Sequence, residues 1–328
     1  MVRLALIGCG RNASVLAEAI GASENCELAF AIDIHEQAAL NIATAVHAEP
    51  YVGDLAQLLQ ERSHDIDAVV VNTPNDQHAH DANAAVSAGK HLLVEKPLAL
   101  TSETAGALHD QARSSDTLLM VAHTFRFMPS VQQVRRALDA GELGRPGMLR
   151  IHRWLPISTD SSSEWENDTK RSGGLAIHES IHEIDQALWL FGEHPDQVHA
   201  VAAPHHVQIH LGFPSGAMAI FDVMTGLPPG EGYYALTLIG SLGSAYADDH
   251  HNMQLVYRGG RPEAFATHQH ALGVNAQIKE FIAAITQQRQ PSPSAPDAIA
   301  AIHIAEAANQ SVLKGESVRM PADDHAHE

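Results

Sequence analysis

The sequence predicts an α/β protein in two parts, a doubly wound parallel sheet followed by an α/β domain with a mostly antiparallel, open-faced sheet. Three observations carry this expectation. The first third of the chain alternates short apolar runs with segments of helical period, which is the pattern of consecutive β-α-β units. An apolar run at the very start leads directly into Gly8-x-Gly10-x-x-Ala13, the turn that joins a strand to a helix in nucleotide-binding domains. Beyond residue 122 the apolar runs become short, alternating and separated by turn residues, as in antiparallel sheets with one covered face.

The elements follow in order. Val2 to Ile7 is an apolar strand, and Val15, Leu16, Ala19 and Ile20 recur at helical spacing over 13–22. A strand over 27–32 ends at Asp33, and a helix is expected over 35–46. Strands at 66–71, 91–95 and 117–122 alternate with helices at 54–61, 76–88 and 101–114; Asp54 and Thr101 are suited to cap two of these, since their side-chain oxygens accept from the first unpaired N–H groups. A helix over 129–140 leads through Gly141, Gly144 and Pro146-Gly147 to a strand over 148–155. Pro156 to Ser172 is polar and loop-like, and one helix is expected from about Ala176 to Leu190. Alternating runs such as Val207 to Leu211 and Ala217 to Phe221, punctuated by Pro214-Ser215-Gly216, Pro228-Pro229-Gly230 and Gly240-Ser241-Leu242-Gly243, then predict consecutive strands. Helices over 273–288 and 295–314 close the pattern, with no internal repeat. The domains are therefore expected at 1–122 and 123–328, with the last helix able to pack back toward the first domain.

Composition sets bounds. A chain of 328 residues exceeds what one small core normally organises. The formal charge of −19 excludes the basic surface that a nucleic-acid partner requires, and no apolar run is long enough to span a bilayer. The apolar N-terminus is too short for a signal peptide and its glycines belong to the turn. Cys9 and Cys26 imply no disulfide framework, which suits a reducing cytoplasm. The 23 histidines include the pairs His205-His206 and His250-His251, and Asp323 to Glu328 has the composition of a solvated tail.

The chemistry concentrates at strand ends. Glycines at 8 and 10 let the backbone approach a pyrophosphate held on helix N–H groups. Asp33 stands about 20 residues beyond Ala13, where a carboxylate holds a ribose 2′-hydroxyl and repels a 2′-phosphate. Lys96, in Gly89-Lys90-His91-Leu92-Leu93-Val94-Glu95-Lys96-Pro97, closes a buried strand and faces the crevice where open parallel sheets bind ligands.

With Asn72-Thr73-Pro74-Asn75, Glu95-Lys96-Pro97 and His182-Glu183-Ile184-Asp185 following the glycine turn in that order, the chain resembles the glucose–fructose oxidoreductase / inositol dehydrogenase / MocA family over nearly its whole length. That resemblance implies an NAD(P)-dependent oxidoreductase acting on a sugar, polyol or related small molecule, assembled as a homodimer or homotetramer. NAD is the cofactor that Asp33 favours, and NADP stays open. Carried over, Gly8, Gly10, Arg11, Asn12 and Ala13 shape the pyrophosphate site, Asp33 the adenosine ribose contact, and Asn72, Thr73, Pro74, Asn75 and His78 the border of the cofactor. Glu95 lies beside the nicotinamide ribose, Lys96 hydrogen-bonds the reacting oxygen and His182 takes the proton, a task suited to an imidazole. Arg126 and Trp165 are candidates to line the substrate pocket, and residues near Pro156–Ser172 and Tyr233–Tyr234 to shape selectivity.

The chain departs from the family pattern in two places. Ser172-Gly173-Gly174 replaces the common triple glycine, and His178 stands where an aspartate four residues before the histidine is usual. On one continuous helix, 178 and 182 share a face. His178 then becomes a substrate-binding candidate, and Asp185 can orient His182 in its place. His178-Glu179-Ser180-Ile181-His182 also satisfies His-Glu-x-x-His, in which two imidazoles chelate zinc and the glutamate activates water. Leu188 occupies the position of the third histidine in one large zinc class, and the helix falls where the oxidoreductase family has its catalytic histidine, so no metal ligand is assigned. Two further readings keep the fold: a glycosidase-type relative that oxidises its substrate only transiently, and a non-catalytic nucleotide or sugar sensor.

Overall fold

The computed structural model describes residues 1–157, 161–228, 232–248, 253–257, 263–266 and 269–321; His250-His251 and the acidic tail lie outside these. The first part of the chain runs β1 (Val2–Ile7), α1 (Ala13–Gly21), β2 (Cys26–Asp33), α2 (Glu36–Val46), β3 (Glu49–Val52), α3 (Leu55–Arg62), β4 (Ala68–Val71), α4 (His78–Ser87), β5 (His91–Glu95), α5 (Ser102–Ser114) and β6 (Leu119–Ala122). Six strands form one parallel sheet in the order β3-β2-β1-β4-β5-β6. The order reverses direction between β1 and β4, the switch point at which doubly wound sheets bind ligands. Asp54 and Thr101 do cap α3 and α5, accepting from Gln57 N and Thr104 N. β3 is an addition to the sequence expectation. Glu49-Pro50-Tyr51-Val52 has no apolar alternation, and as an edge strand it needs none, which also accommodates Pro50.

The chain continues through α6 (Pro129–Asp139), β7 (Pro146–Pro156), α7 (Thr169–Ser172), α8 (Gly174–His178), α9 (Ile181–Phe191), β8 (Gln197–Ala203), β9 (His206–Gly212), β10 (Met218–Leu227), β11 (Tyr233–Gly240), β12 (Ser244–Asp248), β13 (Met253–Tyr257), β14 (Glu263–Ala266), α10 (Gln269–Gln287), α11 (Ala295–Lys314) and β15 (Val318–Arg319). Two compact units result. The first takes Met1–Phe127, Glu164–Gly173 and His270–Ile302, and the second takes Met128–Ser163, Gly174–Gln269 and His303–Glu328. The first unit is thus assembled from three stretches of chain. Val274, Ile278, Phe281 and Ile282 of α10 share a core cluster with Leu4, Leu6, Leu16, Ile20 and Leu28. Each such side chain fully buried contributes about 1.5–3 kcal/mol, which explains why α10 belongs to this core despite its distance in sequence. Thr124 Oγ1 donates to Gln277 Oε1 at 2.7 Å in the same interior.

The second unit holds a nine-stranded sheet in the order β14-β13-β12-β11-β7-β10-β9-β8-β15. Its pairs are antiparallel except β7 with β10, which the intervening α7–β9 segment returns in parallel. Along β7, Leu149, Ile151 and Arg153 are buried while Met148, Arg150, His152 and Trp154 alternate outward. Nearly every residue of α9 is buried.

The single helix expected over 176–190 is instead two. Ser180 N donates to Leu175 O, five residues back, and His182 N turns to Glu179 O at 3.4 Å rather than to His178 O. Arg153 lies at this break: its Nη2 donates to the Glu179 carbonyl at 2.7 Å, which also accepts from His182 N, and its Nη1 donates to that residue's carboxylate at 2.8 Å. The expectation that 178 and 182 share the face of one helix is therefore corrected.

Candidate active site

In the first unit, the glycine turn is built by close backbone approach. Gly8 has φ +91°, and a Cβ there would stand 2.4 Å from Asn72 O, so β1 and β4 meet only because position 8 lacks a side chain. Asn72 Nδ2 donates to Gly8 O at 2.7 Å and fastens the same crossing. At Gly10 a Cβ would meet nothing within 4 Å, so this side of the turn is open. Helix α1 begins there without a side-chain cap, leaving its end suited to an anion.

Asp33 reaches back to the turn. Its Oδ2 accepts from Cys9 N and its Oδ1 from His35 N, both at 2.8 Å. Each carboxylate oxygen keeps capacity for one more donor, which fits a ribose hydroxyl. Cys9 itself is buried against this carboxylate, and burial with the Asp33 charge pushes its thiol up to about 12.

The strand-end residues converge on the turn. Asn12 Nδ2 donates to Glu95 Oε1 at 3.1 Å and lies 3.4 Å from Asn72 Oδ1. Lys96 N donates to Glu95 Oε2 at 3.2 Å. Burial pushes the Glu95 carboxyl up, against the opposing pull of Lys96 and Asn12. Thr73 Oγ1 donates to Asp81 Oδ2 at 2.7 Å, and burial raises the Asp81 pKa. Asn75, itself buried, donates to Ser172 O at 2.8 Å. His78 is buried, with both ring nitrogens on backbone carbonyls.

The segment Glu164–Gly173 adds residues that sequence reasoning missed. Glu166 Oε1 accepts from Arg11 Nη2 at 2.8 Å, and Arg171 Nε donates to Asp76 Oδ2 at 3.0 Å. Trp165, in the same segment, is half-buried. Arg126 does not extend to solvent; it is buried and pairs with Asp297 Oδ1 at 3.2 Å, where burial and the guanidinium oppose each other and the guanidinium prevails, lowering the Asp297 pKa.

In the second unit, His182 and Asp185 lie buried on α9 at the i, i+3 spacing that places them on one face. His178, at the end of α8, has Nε2 3.3 Å from Glu179 Oε1. Glu179 is also held by Arg153, whose Nε donates to Glu183 Oε1 at 2.6 Å. Burial pushes the Glu183 carboxyl up, with Arg153 opposing. The two histidines of the His-Glu-x-x-His run thus stand on separate helices, and its glutamate pairs with a guanidinium. Arg153 was signalled by parity, since it falls on the buried side of β7, yet a partner for it was not legible. Tyr234, proposed from sequence near the selectivity region, is buried on Gln186 Nε2 at 2.9 Å, while Tyr233 stacks on Trp154 at 5.1 Å.

Comparison with known proteins agrees with this architecture. Residues 2–123 match the GFO_IDH_MocA description "Oxidoreductase family, NAD-binding Rossmann fold", and residues 131–246 match the GFO/IDH/MocA C-terminal domain. The chain is 32% identical to an inositol 2-dehydrogenase of Rhizobium meliloti (strain 1021), over 95% of this chain and 97% of that protein. It is 24% identical to a myo-inositol 2-dehydrogenase of Thermotoga maritima, over 97% and 98% of the respective chains. Among solved structures, levoglucosan dehydrogenase in complex with NADH and levoglucosan superposes with a TM-score of 0.88 at 23% identity, covering 98% of this chain and 100% of that one, which shows a shared fold. The open glycine turn, its uncapped helix and the acid at the end of β2 fit the dinucleotide that the family domain binds, and the chain belongs to the GFO/IDH/MocA family of NAD-binding oxidoreductases.

Proposed function

We propose that the protein transfers hydride between NAD and a hydroxyl-bearing carbon of a polyol or cyclic sugar. The observation that carries this reading is the Asn12–Glu95 hydrogen bond of 3.1 Å, which joins the nucleotide turn to the Glu95-Lys96 pair at the end of β5. Lys96 follows Glu95 directly, which supports assigning its ammonium to the reacting oxygen. Sequence similarity over the full length of an inositol 2-dehydrogenase supports the substrate class.

NAD, when bound, exchanges the hydride. The chain's own residues handle the rest. Lys96 hydrogen-bonds the reacting oxygen and stabilises charge developing on it. His182 accepts the hydroxyl proton, a role for which imidazole is matched near neutrality, and Asp185 or the His178 side chain orients substrate around it. Asp33, already hydrogen-bonded to Cys9 N and His35 N, carries a negative charge at the end of β2 that would hold a ribose hydroxyl and repel a 2′-phosphate, which motivates preference for NAD. The outward side of the second sheet, with Val201, Met218 and Ile239 about half exposed, is proposed as the surface of a homodimer or homotetramer.

The test is a fluorescence titration with NADH and NADPH side by side, followed by initial rates on myo-inositol, scyllo-inositol, levoglucosan and glucose with NAD. Preferential NADH binding and NADH production on a polyol or cyclic sugar are expected. NADPH preference would overturn the role of Asp33, and turnover on none of these would remove the substrate class.

A further inference from the structure

The β4–β5 ladder ends at Val71↔Val94. Two residues farther along each strand lie Thr73 and Lys96, where sheet hydrogen bonds no longer join the chains. His78 stands in their place. Its Nδ1 is 2.6 Å from Pro97 O and its Nε2 is 2.7 Å from Thr73 O, with the ring only 1% exposed. One imidazole thus spans the two strand-end loops, one bordering the nucleotide turn and the other carrying Lys96.

Each loop also has anchors of its own. Thr73 is held by Asp81 and Asn75 by Ser172. On the other side, Leu98 and Ala99 are buried just beyond Pro97. The His78 ring itself joins the two loops, through Thr73 O on one side and Pro97 O on the other. Both carbonyls are acceptors, so a ring with one N–H donates to only one of them; burial lowers the His78 pKa and favours that singly protonated form, and donating to both at once needs the imidazolium.

We propose that His78 is a positioning residue that acts through Lys96: the contact of its Nδ1 with Pro97 O sets where the Lys96 ammonium stands, and the contact of its Nε2 with Thr73 O sets the cofactor-side loop. This rests on the reading of Lys96 given above. The two functions are separable, because an Asn amide nitrogen falls near the Nδ1 position and a Gln amide nitrogen near Nε2. His78→Asn keeps the Pro97 end, His78→Gln keeps the Thr73 end, and His78→Phe keeps neither at similar size.

The experiment measures kcat, NADH Kd and Tm for all three, beside Lys96→Ala, together with the rate of Lys96 acetylation by acetic anhydride read by peptide mass. Relative to His78→Phe, Asn is expected to rescue turnover and Gln to rescue NADH affinity. The turnover gap between Asn and Gln should be about 10- to 100-fold, the scale of an ångström-sized misplacement. Lys96 acetylation should be altered in Gln and Phe and restored in Asn; this readout needs no substrate and decides the matter if none of the sugars reacts. Equal behaviour of Asn and Gln, or losses that only follow Tm, would overturn the proposal. If Lys96→Ala is inactive while Asn and Gln match, the His78 inference alone fails. A fully active Lys96→Ala instead removes the reading of Lys96, and the positioning role with it.

Discussion

At the residue scale, two substitutions separate chemistry from binding. Lys96→Ala should lower kcat by about 10²–10⁴-fold, the span of a lost transition-state hydrogen bond or general-acid contact, while NADH Kd changes by less than about threefold, since Lys96 is assigned to the substrate oxygen. Stopped-flow single turnovers and a fluorescence titration measure the two quantities, and an unimpaired rate would sink the assignment. Gly8→Ala does the reverse. Its Cβ would sit 2.4 Å from a backbone oxygen of Asn72 at a φ of +91°, so β1 and β4 must separate. A strained φ of this kind costs about 1–3 kcal/mol before the clash is counted. Lower Tm and loss of NADH binding are expected, and a variant that still binds NADH normally would show that the turn tolerates the shift.

At the element scale, the turn between α8 and α9 depends on one buried guanidinium. Arg153 holds Glu179 and Glu183 at 2.8 and 2.6 Å, and Arg153→Met leaves two enclosed carboxylates without their cation, at a cost of about 3–5 kcal/mol. The cost should depend on pH. Burial already raises the Glu183 pKa against the pull of Arg153, and removing the arginine raises it further. A group whose folded pKa exceeds its unfolded value stabilises the fold below the unfolded pKa, and that contribution disappears as pH rises through the folded value. Urea denaturation should therefore find the variant nearer to wild type at pH 5 than at pH 8. A deficit independent of pH would refute the role given to Glu183. The same element shows where periodicity misleads: Ala176 to Leu190 has an unbroken helical pattern, but the backbone ladder breaks at Ser180, beside a guanidinium from a distant strand.

At the scale of the whole molecule, nucleotide binding should appear as stability. NADH at one hundred times its Kd is expected to add about 2.7 kcal/mol, since a ligand that binds only the folded state stabilises it by RT ln(1 + [L]/Kd). Differential scanning fluorimetry with NADH and NADPH at equal concentration measures this, and an equal shift with both would contradict the exclusion of a 2′-phosphate by Asp33. Among the described residues, no helix is long and apolar enough to cross a membrane. The expected oligomer is tested by sedimentation velocity, where a monomer at micromolar concentration would remove the proposed role of the outward sheet face.

The sequence by itself determined the parallel sheet, its order of strands and helices, and the residues at the strand ends. These features are local: strand period, glycine spacing and capping residues act within a few positions, so Gly8, Asp33, Glu95 and Lys96 were legible before any contact was known. Tertiary structure alone decided that α10 completes the first core, that Glu49–Val52 adds an edge strand, that His78 joins two loops and that Arg153 pairs with two carboxylates beside the α8–α9 break. Each of these rests on a partner far away in the chain. Periodicity says which side of an element is apolar, but which distant group fills a cavity or claims a carbonyl is fixed only when the chain packs.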